Sequence, residues 1–531
     1  MEKALEMGKV SATGSFRLLI GVATSTIILA FAAIILGRLL TVDEYGLYGI
    51  ALIPANMINL FRDWGISSAM TRYIANFRVS NRDEEIHDVI VAGLTFEVAV
   101  GLALSFLSLF LANFIASSVF HRPESASFIA IVSVSIISGS LLTASQSVFV
   151  GFERMELNSF TSICLSIVKI ASAPVLVLLG YGVLGAVIGY TLSLVAAGII
   201  GLATVYLILF RPIRKRATRN SNITKKLKTM LNYGVPLSIS SILGSILGQI
   251  YAFMMPSFAN NSMIGNYQTA ANFTVLLTFF TVPIGTVLFP AFAKLNPQNE
   301  HELVKTVFAS SIKYTSILLV PATMAIMALS GPMIGTLYGE KYVYGPFFLT
   351  IAVIGNLFVV VGSLSQSGFL SGLGETRVLM KQSMIAIVVG IPLGFFLIPS
   401  LGITGLIIAN IFAGLPGLLW ILYWIWKHYK ARADFQSSAK ILAASGIAAV
   451  VTYLPTVFLN TANWIKLIIG LIIFITVYIL SAPIIGAVSL TDITNLRTMF
   501  SGLGLLSKLI NIPLTIAERI AKSVFGSKKQ L

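Results

Sequence analysis

The chain has 531 residues, 56% of them hydrophobic and only 11% charged, with a mean hydropathy of +0.90, which excludes a water-soluble globular protein and places it among polytopic membrane proteins. Its net charge of +16 does not point to nucleic acid, because the Lys and Arg are parcelled into short loops between apolar runs rather than gathered on one soluble face. The single cysteine, Cys164, excludes a disulfide framework and a cysteine-based metal site.

A helix needs about 20 apolar residues to cross the hydrocarbon layer, and fourteen stretches qualify. Met1 to Val10 is polar, and the apolar run that follows has no small-residue cleavage site, so a retained first span is expected. The first half supplies spans at 16–36, 45–73, 89–117, 127–150, 159–180 and 182–210. Then comes Arg211 to Lys228, with eight Lys/Arg and no acid. Six further spans follow at 233–258, 266–292, 304–329, 347–370, 378–398 and 403–426, and a final pair at 441–459 and 464–489. The tail mixes apolar residues such as Leu505, Leu509, Ile516 and Ile520 with Lys508, Arg519 and Lys522, the pattern of a cytoplasmic amphipathic helix at the membrane surface, with a partly disordered tail as the competing reading.

Basic loops stay in the cytoplasm. With the N-terminus inside, only Arg38, Arg122, Lys341 and Lys466 fall in external loops, and Arg62, Lys169 and Lys313 fall within spans; the rest of the 36 are cytoplasmic. A multi-pass plasma-membrane protein with both termini cytoplasmic is therefore expected. The two halves also repeat: Ser145-Gln146-Ser147 recurs as Ser365-Gln366-Ser367, Gly182 to Gly185 as Gly402 to Gly405, and Gly46-Leu47-Tyr48 as Gly265-Asn266-Tyr267. The expected fold is thus all-α and polytopic, with about fourteen transmembrane helices in two six-helix lobes related by a pseudo-twofold axis along the membrane normal, plus two extra C-terminal helices. The divisions read 1–210 for the first lobe, 211–232 for a basic cytoplasmic linker, 233–426 for the second lobe, 427–489 for the extra helices and 490–531 for the tail.

Ionisable residues inside spans are the candidates for function, since a charge near the bilayer centre costs about 2.5–3.5 kcal/mol even on the lenient insertion scale. These are Arg62 and Asp63, Glu97, Lys169 and Lys313. Counted from the cytoplasmic ends of their spans, Arg62, Glu97, Lys169 and Lys313 share a depth of about 15 Å. Such a layer suits a chamber with a cationic surplus that attracts an anionic group, Arg62 offering the planar fork that fits phosphate. Mutual neutralisation as interhelical pairs is the competing reading. Arg17, near the inner end of the first span, reads as a residue snorkelling to the interface or as a further cavity ligand.

No catalytic constellation is expected. Ser166 to Lys169 and Ser310 to Lys313 match the short S-x-x-K pattern inside apolar helices without its companion elements. His87, His121, His301 and His428 have no metal-ligand spacing, and there is no Walker A sequence. Neither a metal nor a cofactor is implied.

Gly37-Arg38-Leu39-Leu40, Glu44-Tyr45-Gly46-Leu47-Tyr48 and Asp63-Trp64-Gly65-Ile66-Ser67-Ser68-Ala69, with Gly151-Phe152 and Gly182 to Gly185 further on, resemble the signature of the oligosaccharide flippases. These form the polysaccharide-transporter branch of the multidrug/oligosaccharidyl-lipid/polysaccharide exporter superfamily. The resemblance covers essentially residues 10–430, and the six, six, two arrangement of spans resembles the lipid II flippases. It implies a transporter, not an enzyme, that moves a polyprenyl- or dolichyl-phosphate-linked glycan from the cytoplasmic to the outer leaflet by alternating access. Arg62 and Asp63 fall on its second-helix motif, whereas Lys169 and Lys313 rest on the depth argument alone. The implied partners are that lipid-linked glycan, membrane lipids, and glycosyltransferases or a polymerase of the same pathway, with the chain itself a monomer. The alternatives are a cation-coupled multidrug extruder of the same fold, which is disfavoured because spans 16–36 and 233–258 lack carboxylates, and a non-transporting scaffold for glycan enzymes.

Overall fold

The computed structural model describes residues 2–214, 223–295, 300–500 and 505–526; side chains are described for these except at 2–17, 19, 278–280, 282–287, 289–291, 499–500, 505–510 and 524–526. The protein is an all-α membrane protein. In chain order the helices are α1 (Glu2–Leu39), α2 (Val42–Asn59), α3 (Ile66–Val79), α4 (Asp83–Phe114), α5 (Ala126–Gly151), α6 (Met155–Leu176), α7 (Gly182–Thr204), α8 (Arg211–Arg214) and α9 (Ile223–Phe258). There follow α10 (Asn261–Ala293), α11 (His301–Leu337), α12 (Gly345–Val353), α13 (Ser365–Gly372), α14 (Thr376–Tyr429), α15 (Phe435–Phe458), α16 (Asn463–Ile485), α17 (Leu490–Phe500) and α18 (Leu505–Gly526).

Nine helical segments among the described residues are long and apolar enough to cross a membrane, or ten if the pair Gly345–Val361 and Ser365–Gly372, bent by 49°, is one span. Two of the nine are double. Met155–Arg214 and Thr376–Tyr429 have 60 and 54 residues, two to three times what a bilayer needs at 1.5 Å per residue. Each folds back at a glycine. Gly182 has φ 49° and ψ −129°, and Gly402, its partner in the sequence repeat, has φ 57° and ψ −129°, a conformation that side-chain-bearing residues avoid. Beyond the turns, Gly189 packs on Ala173 and Gly417 on Gln382, so small residues let the returning helices approach closely, as lipid-embedded packing requires.

The described chain forms two compact units, Met1–Gly265 and Asn266–Leu531. In the first, α1 lies on α6, α5 is flanked by α4 and α7, and α9 packs on α2, α3 and α4. Ile66, Met70 and Ile74 of α3 share a buried core with Ile86, Val89 and Ile90 of α4 and Phe149 of α5. In the second, α11 is surrounded by α12, α15 and α16, and α18 lies against α16 and α17. The division falls inside α10, beyond the basic stretch, of which 215–222 lie outside the described residues.

The motif residues have local jobs. Thr41 and Glu44 form a reciprocal cap on α2: the Thr41 amide donates to Glu44 Oε2 (2.8 Å) and the Glu44 amide to Thr41 Oγ1 (3.2 Å). A Cβ on Gly46 would collide with the Asn261 carbonyl, and one on Gly265 with the Val42 carbonyl. Val42 and Gly46 are the repeat equivalents of Asn261 and Gly265, so the contact between α2 and the start of α10 is self-complementary, with each glycine admitting the other helix's backbone. Arg122, one of the few basic residues expected outside, donates to the carbonyls of Pro256 and Ala259 (2.6 Å for Ala259) and to Asn261 Oδ1 (2.6 Å). It thereby satisfies the last carbonyls of α9.

Candidate functional site

The second predicted span, 45–73, is interrupted. α2 ends at Asn59 and α3 begins at Ile66, and between them Trp64 (φ 48°) and Gly65 (φ 74°) take left-handed conformations. A Cβ on Gly65 would run into the Gly234 carbonyl of α9, so the backbones of the break and of α9 are in direct contact. Asp63 restarts the helix by accepting from the Ser67 amide at 2.8 Å, and Trp64 Nε1 donates to the Phe61 carbonyl at 2.7 Å. Irregular backbone at membrane depth survives only where protein or a polar cavity surrounds it.

The break turns Arg62 into the bundle. Its Nη2 donates to Thr143 Oγ1 on α5 at 2.9 Å and its Nη1 to Asn59 Oδ1 at 3.4 Å, while Nε lies 3.8 Å from Glu97 Oε2 on α4. Gly139 makes room, since a Cβ there would press on Arg62 Nη1. Glu97 is 0% exposed and Arg62 11%, and neither Glu97 oxygen has a well-formed hydrogen bond; Asp63 and Ser140 are its other polar neighbours. A buried carboxylate held by one ion contact without hydrogen bonds is under-satisfied. The cluster therefore has a cation able to take a second anionic partner and two carboxylates able to take a proton or cation.

Of the residues singled out by sequence, the structure brings together Arg62, Asp63 and Glu97. Lys169, on α6, is placed with its ammonium 5.2 Å from the centre of the Tyr190 ring on α7, a cation–π contact. Lys313, on α11, is paired at 2.6 Å with Asp492 of α17, and the neighbouring Tyr314 hydroxyl accepts from Asn495 Nδ2 at 2.7 Å. The tail thus supplies Lys313 with its own counter-ion. Arg17 lies on α1, and its side chain is outside the described set. Sequence reasoning missed Asn59, Gly139, Ser140 and Thr143. Gly139 and Ser140 lie four and three residues before Thr143, one turn away on α5, but α5 also carries Ser133, Ser135, Ser138, Ser145 and Ser147, so polarity in the span does not by itself single them out.

The second unit holds a polar cavity of about 320 Å³ lined by Tyr267, Thr274, Thr281, Asn356 and Asn410 among others. Its polar groups are hydroxyls and amides, the uncharged donors and acceptors that match sugar hydroxyls. Among the described residues, no group of three or more His, Cys, Asp or Glu could hold a metal ion.

Over residues 35–344 the chain matches the family described as polysaccharide biosynthesis protein. It is 22% identical over 317 residues to the probable low-salt glycan biosynthesis flippase Agl15 of Haloferax volcanii, an alignment covering 56% of this chain and 65% of that relative, so the chain spans slightly less than two thirds of that relative's length. It is 22% identical to the lipopolysaccharide biosynthesis protein WzxC of Escherichia coli over 70% of each chain. Among solved structures it resembles lipid II flippase MurJ in an inward closed conformation, with a TM-score of 0.70 at 20% identity over 88% of this chain and 98% of that one. It also resembles an inward-facing multidrug resistance MATE family transporter, with a TM-score of 0.62 at 17% identity over 78% of this chain and 99% of that one. At these identities the structural matches establish the fold.

Proposed function

The chain belongs to the polysaccharide biosynthesis protein family, and on that premise we propose that it is a flippase carrying a polyprenyl- or dolichyl-phosphate- or diphosphate-linked oligosaccharide from the cytoplasmic to the outer leaflet by alternating access of two six-helix lobes. The observation that carries this reading is the cluster at the α2–α3 break. Arg62 keeps its bonds to Asn59 and Thr143 while its contact with Glu97 is a long 3.8 Å. An incoming phosphate can replace that contact with a charge-assisted, bidentate one. The hydroxyl- and amide-lined cavity of the second unit supplies the neutral hydrogen-bonding surface a glycan needs. Lys169, held at the Tyr190 ring, and Lys313, paired with Asp492, are each available to an anionic group only when those contacts open.

The experiment is delivery of lipid-linked glycan to the outer leaflet in cells carrying Arg62→Ala or Arg62→Lys, with protein quantified in the membrane. Loss with Ala and partial recovery with Lys supports the phosphate contact; unchanged delivery in both variants overturns it. The cation-coupled extruder keeps one specific support, the juxtaposition of Asp63 and Glu97 in a fold shared with MATE transporters. Export of cationic dyes that is abolished by Glu97→Gln would favour it over the flippase reading.

A further inference from the structure

A cavity of about 540 Å³ opens between the first turns of α11 and the connection from α14 to α15, lined by Lys305, Thr306, Lys430, Arg432, Asp434 and Phe435 among others. The connection is short and pinned from beneath. Ala431 and Ala433 are buried at 1% and 7% exposure in a core with Val304, Phe308, Ile421 and Ile425, so the intervening Lys430, Arg432 and Asp434 project outward by simple alternation. Lys430 ends α14 in the left-handed conformation (φ 53°) with its amide on the Trp426 carbonyl at 2.9 Å.

The acids at this place are already spent. Asp434 accepts from the Gln436 and Ser437 amides at 3.1 and 3.2 Å and from the Ser437 hydroxyl at 2.5 Å, and Glu302 holds Lys305 at 2.6 Å. Among the described residues neither Lys430 nor Arg432 has an ion-pair partner; Lys430 sits 5.1 Å from the Trp426 ring centre. From Lys430 an exposed stripe runs back along α14 through Trp426, Tyr423, Leu419 and Phe412, residues whose helical spacing puts them on one face. Two cations without ion-pair partners, beside a carboxylate committed to the cap of α15, at one end of an exposed apolar and aromatic stripe give the outline of a lipid, headgroup and chain.

We propose that this notch binds the phosphodiester headgroup of an anionic bilayer lipid, with the lipid's chain along the Phe412–Trp426 stripe, as a site separate from the Arg62 cluster. The test uses the full chain in detergent and native mass spectrometry with phosphatidylglycerol, phosphatidylcholine and inorganic phosphate as probes. Phosphatidylglycerol should be retained in preference to phosphatidylcholine, and Lys430→Gln with Arg432→Gln should lower its affinity by about fivefold per residue removed. Lys466→Gln, the same charge change beyond the far end of α15, should leave it unchanged, and Leu419→Asn should weaken the lipid without touching the basic pair. Equal retention of both lipids, an unaltered affinity in the double variant, or displacement by inorganic phosphate at concentrations comparable with the lipid would each overturn the proposal, the last by marking a site for free anions only. Because both substituted side chains are exposed, thermal unfolding of the double variant without added lipid should match the parent.

Discussion

Two basic residues inside spans, Arg62 and Lys313, meet carboxylates in opposite ways. Arg62 stands 3.8 Å from Glu97, a fully buried acid whose oxygens lack well-formed hydrogen bonds. Lys313 stands 2.6 Å from Asp492, which also accepts from the Ser489 amide and hydroxyl at 2.8 and 2.6 Å as part of the cap on α17. One sequence signal, a charge in an apolar run, thus has two outcomes. A carboxylate saturated by a cap and an ammonium fastens a tail to the bundle, whereas an under-bonded one leaves its arginine free to change partners. The difference separates a clamp from a candidate binding group without reference to depth.

The sharpest way to break this comparison is at Arg62. Arg62→Met removes the cation beside Glu97 and leaves Asn59, Thr143 and Glu97 without their partner, which should destabilise the protein by about 1–3 kcal/mol, read as a fall in thermal unfolding temperature in detergent. Adding Glu97→Gln should restore most of that stability. Glycan delivery should stay lost in the double variant, because the group proposed to meet phosphate is still missing. If the double variant transports normally, the cluster is structural only.

Next in size are the repeat-related glycines. Gly46→Ala and Gly265→Ala each place a methyl against a carbonyl of the other helix, an overpacking worth about 1–3 kcal/mol. Because the contact is self-complementary the two losses should be alike, and a large inequality measured by thermal unfolding would show that the repeats have diverged in packing there.

Lys313→Met should cost less than Arg62→Met, since Lys313 is 24% exposed and water softens the loss. About 1–2 kcal/mol is expected, against about 1.5–3 for a typical charged hydrogen bond. Its distinguishing readout is local: α17 and α18 should become more susceptible to limited proteolysis while the spans remain intact. Glycan delivery unaffected by Lys313→Met would assign the pair to fastening alone.

The all-α membrane class was legible because hydropathy alone demands it, and the glycine turns at 182 and 402 were visible as a sequence repeat before their matching dihedral angles were known. The break at Leu60 to Gly65 was not. Phe61, Trp64 and Ile66 keep the run apolar enough to read as one span, and the backbone that packs against the interruption, at Gly234, lies about 170 residues away in the chain. Of the candidate site, Arg62, Asp63 and Glu97 were found by the cost of burying charge. The partner of Lys313 was invisible because Asp492 lies in a tail that reads as an independent surface helix. Depth counting treats each span in isolation and cannot anticipate a counter-ion delivered from outside the lobe.

The smallest expected effect lies at a third carboxylate, and it checks what full satisfaction means at the membrane surface. Asp434 caps α15, and the Ser437 hydroxyl, helped against the opposing effect of burial by the Ser437 and Gln436 amides and the charge of Lys313, holds its carboxyl below the ordinary aspartate range. A group whose folded-state value is depressed adds stability above its unfolded value and loses it as pH falls through the folded one. The contribution of this cap should therefore be constant from neutral pH down to about pH 4 and disappear only below that. Asp434→Asn, which keeps an acceptor oxygen for the amides, should lower the thermal unfolding temperature slightly at pH 7, by a difference that shrinks as the pH falls below about 4. A difference that grows on acidification would mean that the aspartate, like Glu97, is poorly satisfied by its surroundings, and would remove the contrast between satisfied and under-bonded carboxylates on which the reading of Arg62 depends.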